Sequence, residues 1–103
     1  MPDSSKGHVD LLLLSVLEEE PAHGYALVES LRERSEGVFD LAEGTVYPAL
    51  YRLERQGLVE SSWQDGHTRR RRVYRLTRKG LTELRRERLA WERYVSAMRA
   101  VLA

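Results

Sequence analysis

LAEGTVYPALYRLERQGL, the stretch of residues 41–58, decides the fold that the sequence predicts. Its apolar residues Val46, Leu50 and Leu53 recur at the spacing of one buried face of an α-helix. Gly57 suits the left-handed position that ends many helices. The pattern predicts a short helix with an aliphatic inner face, although an ordinary amphipathic surface helix fits it equally well. The outer face carries small, aromatic and basic residues, namely Gly44, Tyr47, Pro48, Tyr51, Arg52 and Arg55.

Pro48 leaves the start of this helix open. A proline inside a helix removes one backbone hydrogen bond and tends to bend the axis. The sequence therefore fits either a helix that bends near Pro48 or a helix that begins later in the stretch.

Two further helices are predicted ahead of this stretch. Residues 8–20 hold aliphatic side chains too densely for a helix with one buried face, which indicates burial in the core or against a second subunit. A tight turn at residues 21–24 leads to a second helix over residues 25–34, which is broken at residues 35–37. The apolar side chains of the connector, Val38, Phe39 and Leu41, are expected to fill the core.

Residues 58–76 predict a β-hairpin with a basic return strand. Residues 58–63 begin by alternating apolar and polar positions, residues 64–68 are rich in turn formers, and residues 69–76 return as a second strand. Taken alone, the basic run fits a solvated face as well as a binding surface. Its seven cations within residues 69–79 are Arg69, Arg70, Arg71, Arg72, Arg75, Arg78 and Lys79.

A last helix is predicted from Thr77, a suitable N-cap, almost to the end of the sequence. Its length of about 40 Å exceeds what one small domain covers, so it is expected to pack on a second copy in a symmetric homodimer. Its seam has the spacing of a coiled coil, with Arg88 at one position. The expected dimer contacts on this seam are Leu81, Leu84, Trp91, Val95, Met98 and Leu102.

Composition limits the class of protein. The 103 residues predict one domain with a modest core, and the longest apolar run, residues 11–14, is too short to cross a membrane. The sequence has no cysteine, no signal segment and no histidines at ligand spacing. We therefore expect a cytoplasmic protein with no membrane partner, metal or cofactor. Residues 1–43 hold three basic and ten acidic residues, whereas residues 44–103 hold fourteen basic and six acidic ones. The basic part indicates an anionic partner.

The order of these elements is that of a winged helix-turn-helix, so the predicted fold is mainly α with a small β-hairpin. In this design the third helix enters the major groove of double-stranded DNA, and the tip of the hairpin, or wing, lies on the backbone or in the minor groove. Residues 1–76 form the predicted DNA-binding domain, and residues 77–103 form the dimerisation helix, which makes one unit with the first helix. The predicted DNA contacts are Thr45, Tyr47, Pro48, Tyr51, Arg52 and Arg55 on the helix, and His67, Arg69, Arg70, Arg71 and Arg72 in the wing.

Three motifs, HGY at residues 23–25, GTVYP at residues 44–48 and YRLT at residues 74–77 followed by Gly80, resemble the PadR family of bacterial transcriptional regulators. The single C-terminal helix is similar to the short subfamily. The resemblance implies a dimeric repressor on a pseudo-palindromic operator, often of its own gene or a neighbouring transporter gene. Ala42 departs from the Ser or Asn that many members place before the third helix. Losing such a cap costs about 1 kcal/mol, for which Thr45 or Glu43 would have to compensate.

The resemblance also implies a ligand site at the dimer interface, because drug-sensing relatives have a tryptophan where this chain has Trp91. A pair of such rings would sandwich a planar aromatic compound, and the other candidate ligand contacts are Leu12, Val16, Arg88, Val95 and Met98. A purely structural Trp91 remains the alternative. Arg88 has three possible roles: pairing with the partner subunit's Glu92, binding an anionic ligand, or reaching solvent.

The sequence argues against an enzyme, because it has no glycine-rich phosphate loop and no carboxylate pair in an apolar setting. Two rivals remain: a winged helix that binds proteins, and a DNA-binding repressor without a ligand. The basic wing, together with Tyr47, Tyr51 and Arg52, favours DNA over a protein partner.

Overall fold

A computed structural model describes residues 8–66 and 68–103 of the chain. The predicted fold class is confirmed: the described residues are mainly helical, with a small antiparallel sheet and a long last helix. None of the helices in these residues has the length and apolar character needed to cross a membrane. The elements are α1 (Val9–Glu19), β1 (Ala22–His23), α2 (Gly24–Arg34), α3 (Glu43–Arg55), β2 (Val59–Asp65), β3 (Arg70–Leu76) and α4 (Arg78–Leu102).

The sheet has one strand more than the predicted hairpin. Its order is β1-β3-β2, and the hairpin register runs from Val59 opposite Leu76 to Asp65 opposite Arg70. The segment predicted as a turn after α1 instead places Ala22 opposite Tyr74 and forms β1. Two residues are too few to show the alternation that marks a strand in sequence. Through β1, the entry to α2 is bound directly to the wing.

Helix α1 lies in the core of the chain. Its residues Leu13, Leu14, Val16 and Leu17 are buried, whereas Leu11 and Leu12 remain partly exposed. The dense aliphatic run is therefore explained largely by contacts within one subunit. The rest of the core comes from α2, α3, the sheet and the start of α4, with Leu27, Leu31, Val46, Ala49, Leu50, Leu53, Leu58, Val59, Tyr74 and Leu84 buried beside α1.

Two predicted positions are corrected. Val38 is 76% exposed, whereas Phe39 and Leu41 pack against the core as predicted. The chain reverses after α2 through positive φ angles at Glu36 and Gly37, and the Phe39 amide then donates to the Ser35 hydroxyl, so Val38 is left outside. Leu84, predicted at the dimer seam, is completely buried in its own subunit because the first turns of α4 pack on α1.

Helix α3 begins at Glu43 and contains Pro48, so the interpretation of a later start is wrong. The first turn is closed by the Ala42 carbonyl, which accepts from the amides of Thr45 and Val46 at 3.0 and 3.1 Å. No side chain caps this end. At the other end Gly57 has φ +78°, and the amides of Gly57 and Leu58 donate back to the last turn, as in a Schellman motif.

The start of α4 is packed directly against the end of α3, at a contact we call the junction (residues 56–58 against residues 77–80). The Thr77 hydroxyl donates to the Gly57 carbonyl at 2.7 Å and accepts from the Gly80 amide at 3.0 Å. A Cβ atom on Gly80 would lie 2.0 Å from the Leu58 carbonyl oxygen. Only glycine therefore allows the two backbones to approach this closely.

Replacing Gly80 by alanine is expected to lower the free energy of unfolding by about 2–3 kcal/mol, because the added methyl group meets backbone that cannot rotate away. Gly44→Ala is the matched control, since a Cβ there meets nothing within 4 Å. Alanine should stabilise that helical position by about 0.5–1 kcal/mol. Urea denaturation at a fixed protein concentration measures both effects. A Gly80→Ala variant as stable as the wild type would contradict the described junction.

Candidate nucleic-acid interface

The outer face of α3 is exposed as its sequence pattern predicts. The inner residues Val46, Leu50 and Leu53 are buried, whereas Tyr51 is 63% exposed. The guanidinium of Arg55 lies over the Tyr51 ring, 5.8 Å from its centroid. Such a cation–π contact holds an aromatic and a basic group together without neutralising the charge. The remaining predicted contacts on this helix are also exposed: Thr45, Tyr47, Pro48 and Arg52.

Tyr47 is positioned by the start of α2. Its ring lies over Gly24, where a Cβ atom would be 2.5–2.7 Å from three atoms at the end of the phenol. Gly24 and Tyr47 come from the first two motifs quoted above, so the fold brings those motifs into contact. A larger residue at position 24 would have to push the phenol aside.

The wing carries an exposed tryptophan that the predictions left out of the site. Trp63 lies opposite Arg72 in the strand register. The guanidinium carbons of Arg70 and Arg72 are 5.5 and 5.6 Å from the centroid of its ring. Cross-strand register could have indicated this cluster, but the sequence alone does not fix the register of a hairpin.

Arg72 also ties the wing to α3. Its Nε donates to the Ser61 hydroxyl at 2.8 Å, and its Nη2 donates to Glu54 Oε1 at 3.3 Å. The Ser61 hydroxyl in turn donates to Glu54 Oε2 at 2.6 Å. Because Glu54 belongs to α3 and the other two residues belong to the wing, this closed network sets the wing against the helix.

Arg71 extends instead towards His23, with its Nη1 3.1 Å from His23 Nε2. The other ring nitrogen, Nδ1, accepts from the Ala26 amide at 3.3 Å and caps α2. A neutral imidazole has one acceptor nitrogen, so the two contacts require different tautomers. Burial and the nearby Arg71 charge lower the pKa of His23, which favours the neutral ring.

The start of α3 and the wing form the two walls of one open cleft of about 640 Å³. It brings together five of the predicted DNA contacts, Tyr47 and Arg69 to Arg72, and adds Tyr25, which the sequence did not indicate. Tyr51 and Arg55 lie on the exposed face of α3 without lining the cleft. His67, the remaining wing prediction, lies outside the described residues. The further lining residues are His23, Glu43, Trp63 and Tyr74.

The candidate ligand residues are not gathered in one place within the subunit. Leu12 and Val16 line a separate cavity of about 280 Å³ together with Phe39. Trp91 stacks on Tyr94, with ring centroids 5.6 Å apart, and its ring lies 4.7 Å from that of His8. Val95 is partly exposed and Met98 is exposed farther along α4.

Arg88 makes an ion pair with Glu18 of its own chain at 2.7 Å. This partner on α1 was not among the three roles considered from the sequence. The guanidinium is thereby used to hold α4 against α1.

The sequence profile of the transcriptional regulator PadR-like family matches residues 13–86. The chain belongs to this family. It is 34% identical to a transcriptional regulator of Mycobacterium tuberculosis over 92 residues, which are 89% of this chain and 83% of that protein. Among solved structures, a PadR family regulator from Eggerthella lenta is 37% identical with a TM-score of 0.84, covering 96% of this chain and 85% of that one.

A more distant likeness in fold is to Bacillus subtilis PadR in complex with operator DNA, with 22% identity and a TM-score of 0.69. It covers 75% of this chain and 44% of that one. The family assignment makes the chain a DNA-binding transcriptional regulator, and it confirms the prediction that the protein is not an enzyme.

Because Arg72 connects the wing to α3, Arg72→Ala should lower the free energy of unfolding by about 1 kcal/mol, a value that allows for the partial exposure of the network. Arg69→Ala is the control. The Arg69 side chain makes no ion pair with the residues that the structure describes, so its loss should change stability by less than about 0.5 kcal/mol. Thermal unfolding of both variants gives the comparison, and equal stabilities would argue against a structural role for Arg72.

Proposed function

We propose that this PadR-family regulator is a cytoplasmic homodimeric repressor that binds a pseudo-palindromic operator in double-stranded DNA. The target would be its own gene or a neighbouring transporter or detoxification gene. The observation that carries the proposal is the cleft in which Tyr47 of α3 faces Arg69 to Arg72 of the wing. Aromatic and hydrogen-bonding groups on a helix beside a cationic strand are the combination that reads bases while neutralising phosphates.

The distribution of charge supports DNA as the partner. Residues 44–103, which include the wing and all of α3 except Glu43, hold fourteen basic and six acidic residues. Arg69 and Arg71 form no ion pair with a carboxylate in the described part of the chain. Their charges are therefore available for phosphate groups, and binding should weaken as salt rises.

The second half of α4 supports a homodimer. Most of its apolar side chains are exposed in the described subunit, and Val101 is 82% exposed. A contiguous apolar surface of this kind marks an interface on a soluble protein. Because Leu84 and part of Leu81 serve the core of their own subunit, we assign the dimer contact chiefly to the later residues, namely Leu89, Trp91, Tyr94, Val95, Met98, Val101 and Leu102.

We further propose that a planar aromatic or drug-like ligand binds at Trp91 and relieves repression. The stacked rings of Trp91 and Tyr94 offer an exposed aromatic surface on the helix face assigned to the dimer. A two-fold axis would bring two such surfaces together, and flat aromatic molecules stack between rings. Val95, Met98, Arg88, Leu12 and Val16 remain the candidate neighbours of such a ligand. The alternative is a repressor in which Trp91 serves packing alone.

Fluorescence anisotropy with the DNA upstream of the protein's own gene tests the proposed function. A scrambled duplex of equal length is the control, and both are measured at two salt concentrations. A preference for the native duplex that persists at the higher salt supports a specific repressor. Equal and steeply salt-dependent binding to both duplexes would favour the alternative function, a winged helix that binds proteins.

Tyr51→Ala and Arg52→Ala are expected to weaken operator binding while leaving the dimer intact. The loss for Arg52→Ala should be about 1–3 kcal/mol, the range for an arginine that contacts a base. Anisotropy measures affinity, and sedimentation equilibrium measures the oligomeric state. Dissociation of either variant into monomers would mean that these side chains serve packing.

Trp91→Ala is expected to spare operator binding and to abolish the response to planar aromatic dyes. Dye binding is followed by quenching of Trp91, the only indole of a Trp63→Phe protein, whereas the response of Trp91→Ala is measured as release of the operator by the dye in the anisotropy assay. The Trp63→Phe protein with Trp91 intact is the reference. If Trp91→Ala instead destroys the dimer, the ligand proposal loses its main support.

A further inference from the structure

Arg52, a proposed DNA contact on α3, is already paired with an acid of its own chain. Its Nη2 donates to Oδ1 of Asp10, which lies in the first turn of α1. The two side chains remain 52% and 41% exposed, so the pair lies at the surface beside the outer face of α3. The residues are 42 positions apart in the sequence, and only the packing of α1 against α3 brings them together.

Asp10 is held in place by the rigid helix that carries it. Its neighbour Val9 is buried and Leu13, one turn later, is completely buried, so the backbone of this turn is fixed in the core. The start of a helix also favours a carboxylate, because the unpaired amides give it a partial positive charge. The carboxylate is therefore a fixed group towards which the longer Arg52 side chain turns.

The pair changes what Arg52 offers to DNA. A guanidinium has five N–H donors, and the described hydrogen bond to Asp10 uses one of them. The remaining donors can still bond to the acceptors on a base edge, which act through directed hydrogen bonds. The Asp10–Arg52 pair, however, carries no net charge. Its contact with a phosphate would therefore release few counterions from the DNA and add little binding affinity.

We propose that Asp10 is a specificity-determining residue that acts through Arg52, by suppressing its binding to phosphate while leaving it able to read a base. This inference rests on the proposed function, because it assumes that α3 faces DNA. The wing shows the contrasting arrangement: Arg69 and Arg71 have no carboxylate partner within the described residues. Within one interface, Arg69 and Arg71 are thereby left for the phosphate backbone, and the neutralised Arg52 is left for base edges in the groove.

The test is the salt dependence of binding to a scrambled duplex by Asp10→Asn. Freeing Arg52 should add one phosphate contact per subunit, which steepens the slope of log affinity against log salt by about 0.9. Between about 50 and 200 mM salt, the variant should then lose about 3.5-fold more affinity per subunit than the wild type. The preference for the operator over the scrambled duplex should fall accordingly at low salt.

Two further variants make this result specific. Glu18→Gln removes the same charge from the other end of α1, where Glu18 pairs with Arg88, and should leave the slope unchanged. In an Arg52→Ala background, Asp10→Asn should have no effect on the slope, because the cation that it frees is absent. An equal change in the Glu18→Gln protein, or a persistent change without Arg52, would overturn the proposal in favour of a general charge effect.

Failure of this inference is distinguishable from failure of the proposed function. If the wild type prefers its operator and Asp10→Asn leaves the slope unchanged, the proposed repressor function is supported and the proposed role of Asp10 is wrong. If the wild type binds both duplexes equally, a steeper slope for Asp10→Asn would show that Asp10 suppresses phosphate binding at Arg52, but its proposed role in specificity would be wrong together with the proposed function. If neither protein binds DNA, both proposals are wrong.

Discussion

The contact between Gly80 and the Leu58 carbonyl is the constraint on which the arrangement of the molecule depends. It places the first turn of α4 against the chain that leaves α3, with no room for a side chain between them. Thr77 and Lys79 then donate to the carbonyls of Gly57 and Gln56 at 2.7 and 2.9 Å, which fixes the angle of approach. The helix proposed to face DNA therefore ends, and the helix assigned to the dimer begins, at one rigid point. A two-fold axis through α4 would in turn fix the separation of the two α3 helices, which a palindromic operator requires.

Helix α1 connects the same two surfaces by a second route. Its first turn carries Asp10, which pairs with Arg52 on α3. The ring of His8, the residue directly before this helix, contacts Trp91 and so joins the same turn to α4. Glu18 at its other end pairs with Arg88 of α4. A ligand stacked on Trp91 would thus lie close to His8 and to the turn that holds Arg52, without any change in the core. This short path gives the proposed ligand response a physical means of reaching DNA, because a ligand shifts an equilibrium only through contacts that differ between the two states.

The sequence predicted the elements well wherever local physics decides them. The period of Val46, Leu50 and Leu53 set the faces of α3, and Gly57 marked its end. Features that depend on packing could not be predicted from the sequence. Strand β1 is too short to show a period, and the Asp10–Arg52 pair joins residues far apart in the chain. The α4 seam illustrates the limit, since one continuous spacing includes Leu84 in the core and Trp91 outside it. The point where α4 leaves its own domain is a property of the tertiary structure and leaves no mark in the periodicity.

The arginine run shows why counting cations overstates a DNA interface. Arg70 and Arg72 lie over Trp63, and Arg72 is further engaged with Ser61 and Glu54, so part of the run is structural. Arg69 and Arg71, which alternate with them along β3 and its approach, have no such acid among the described residues. Because successive side chains of a strand alternate in direction, Arg70 and Arg72 lie over Trp63 whereas Arg71 extends to His23, although all of them line the cleft. The pairing of each guanidinium, rather than the net charge of the wing, therefore decides how many phosphates the protein can neutralise.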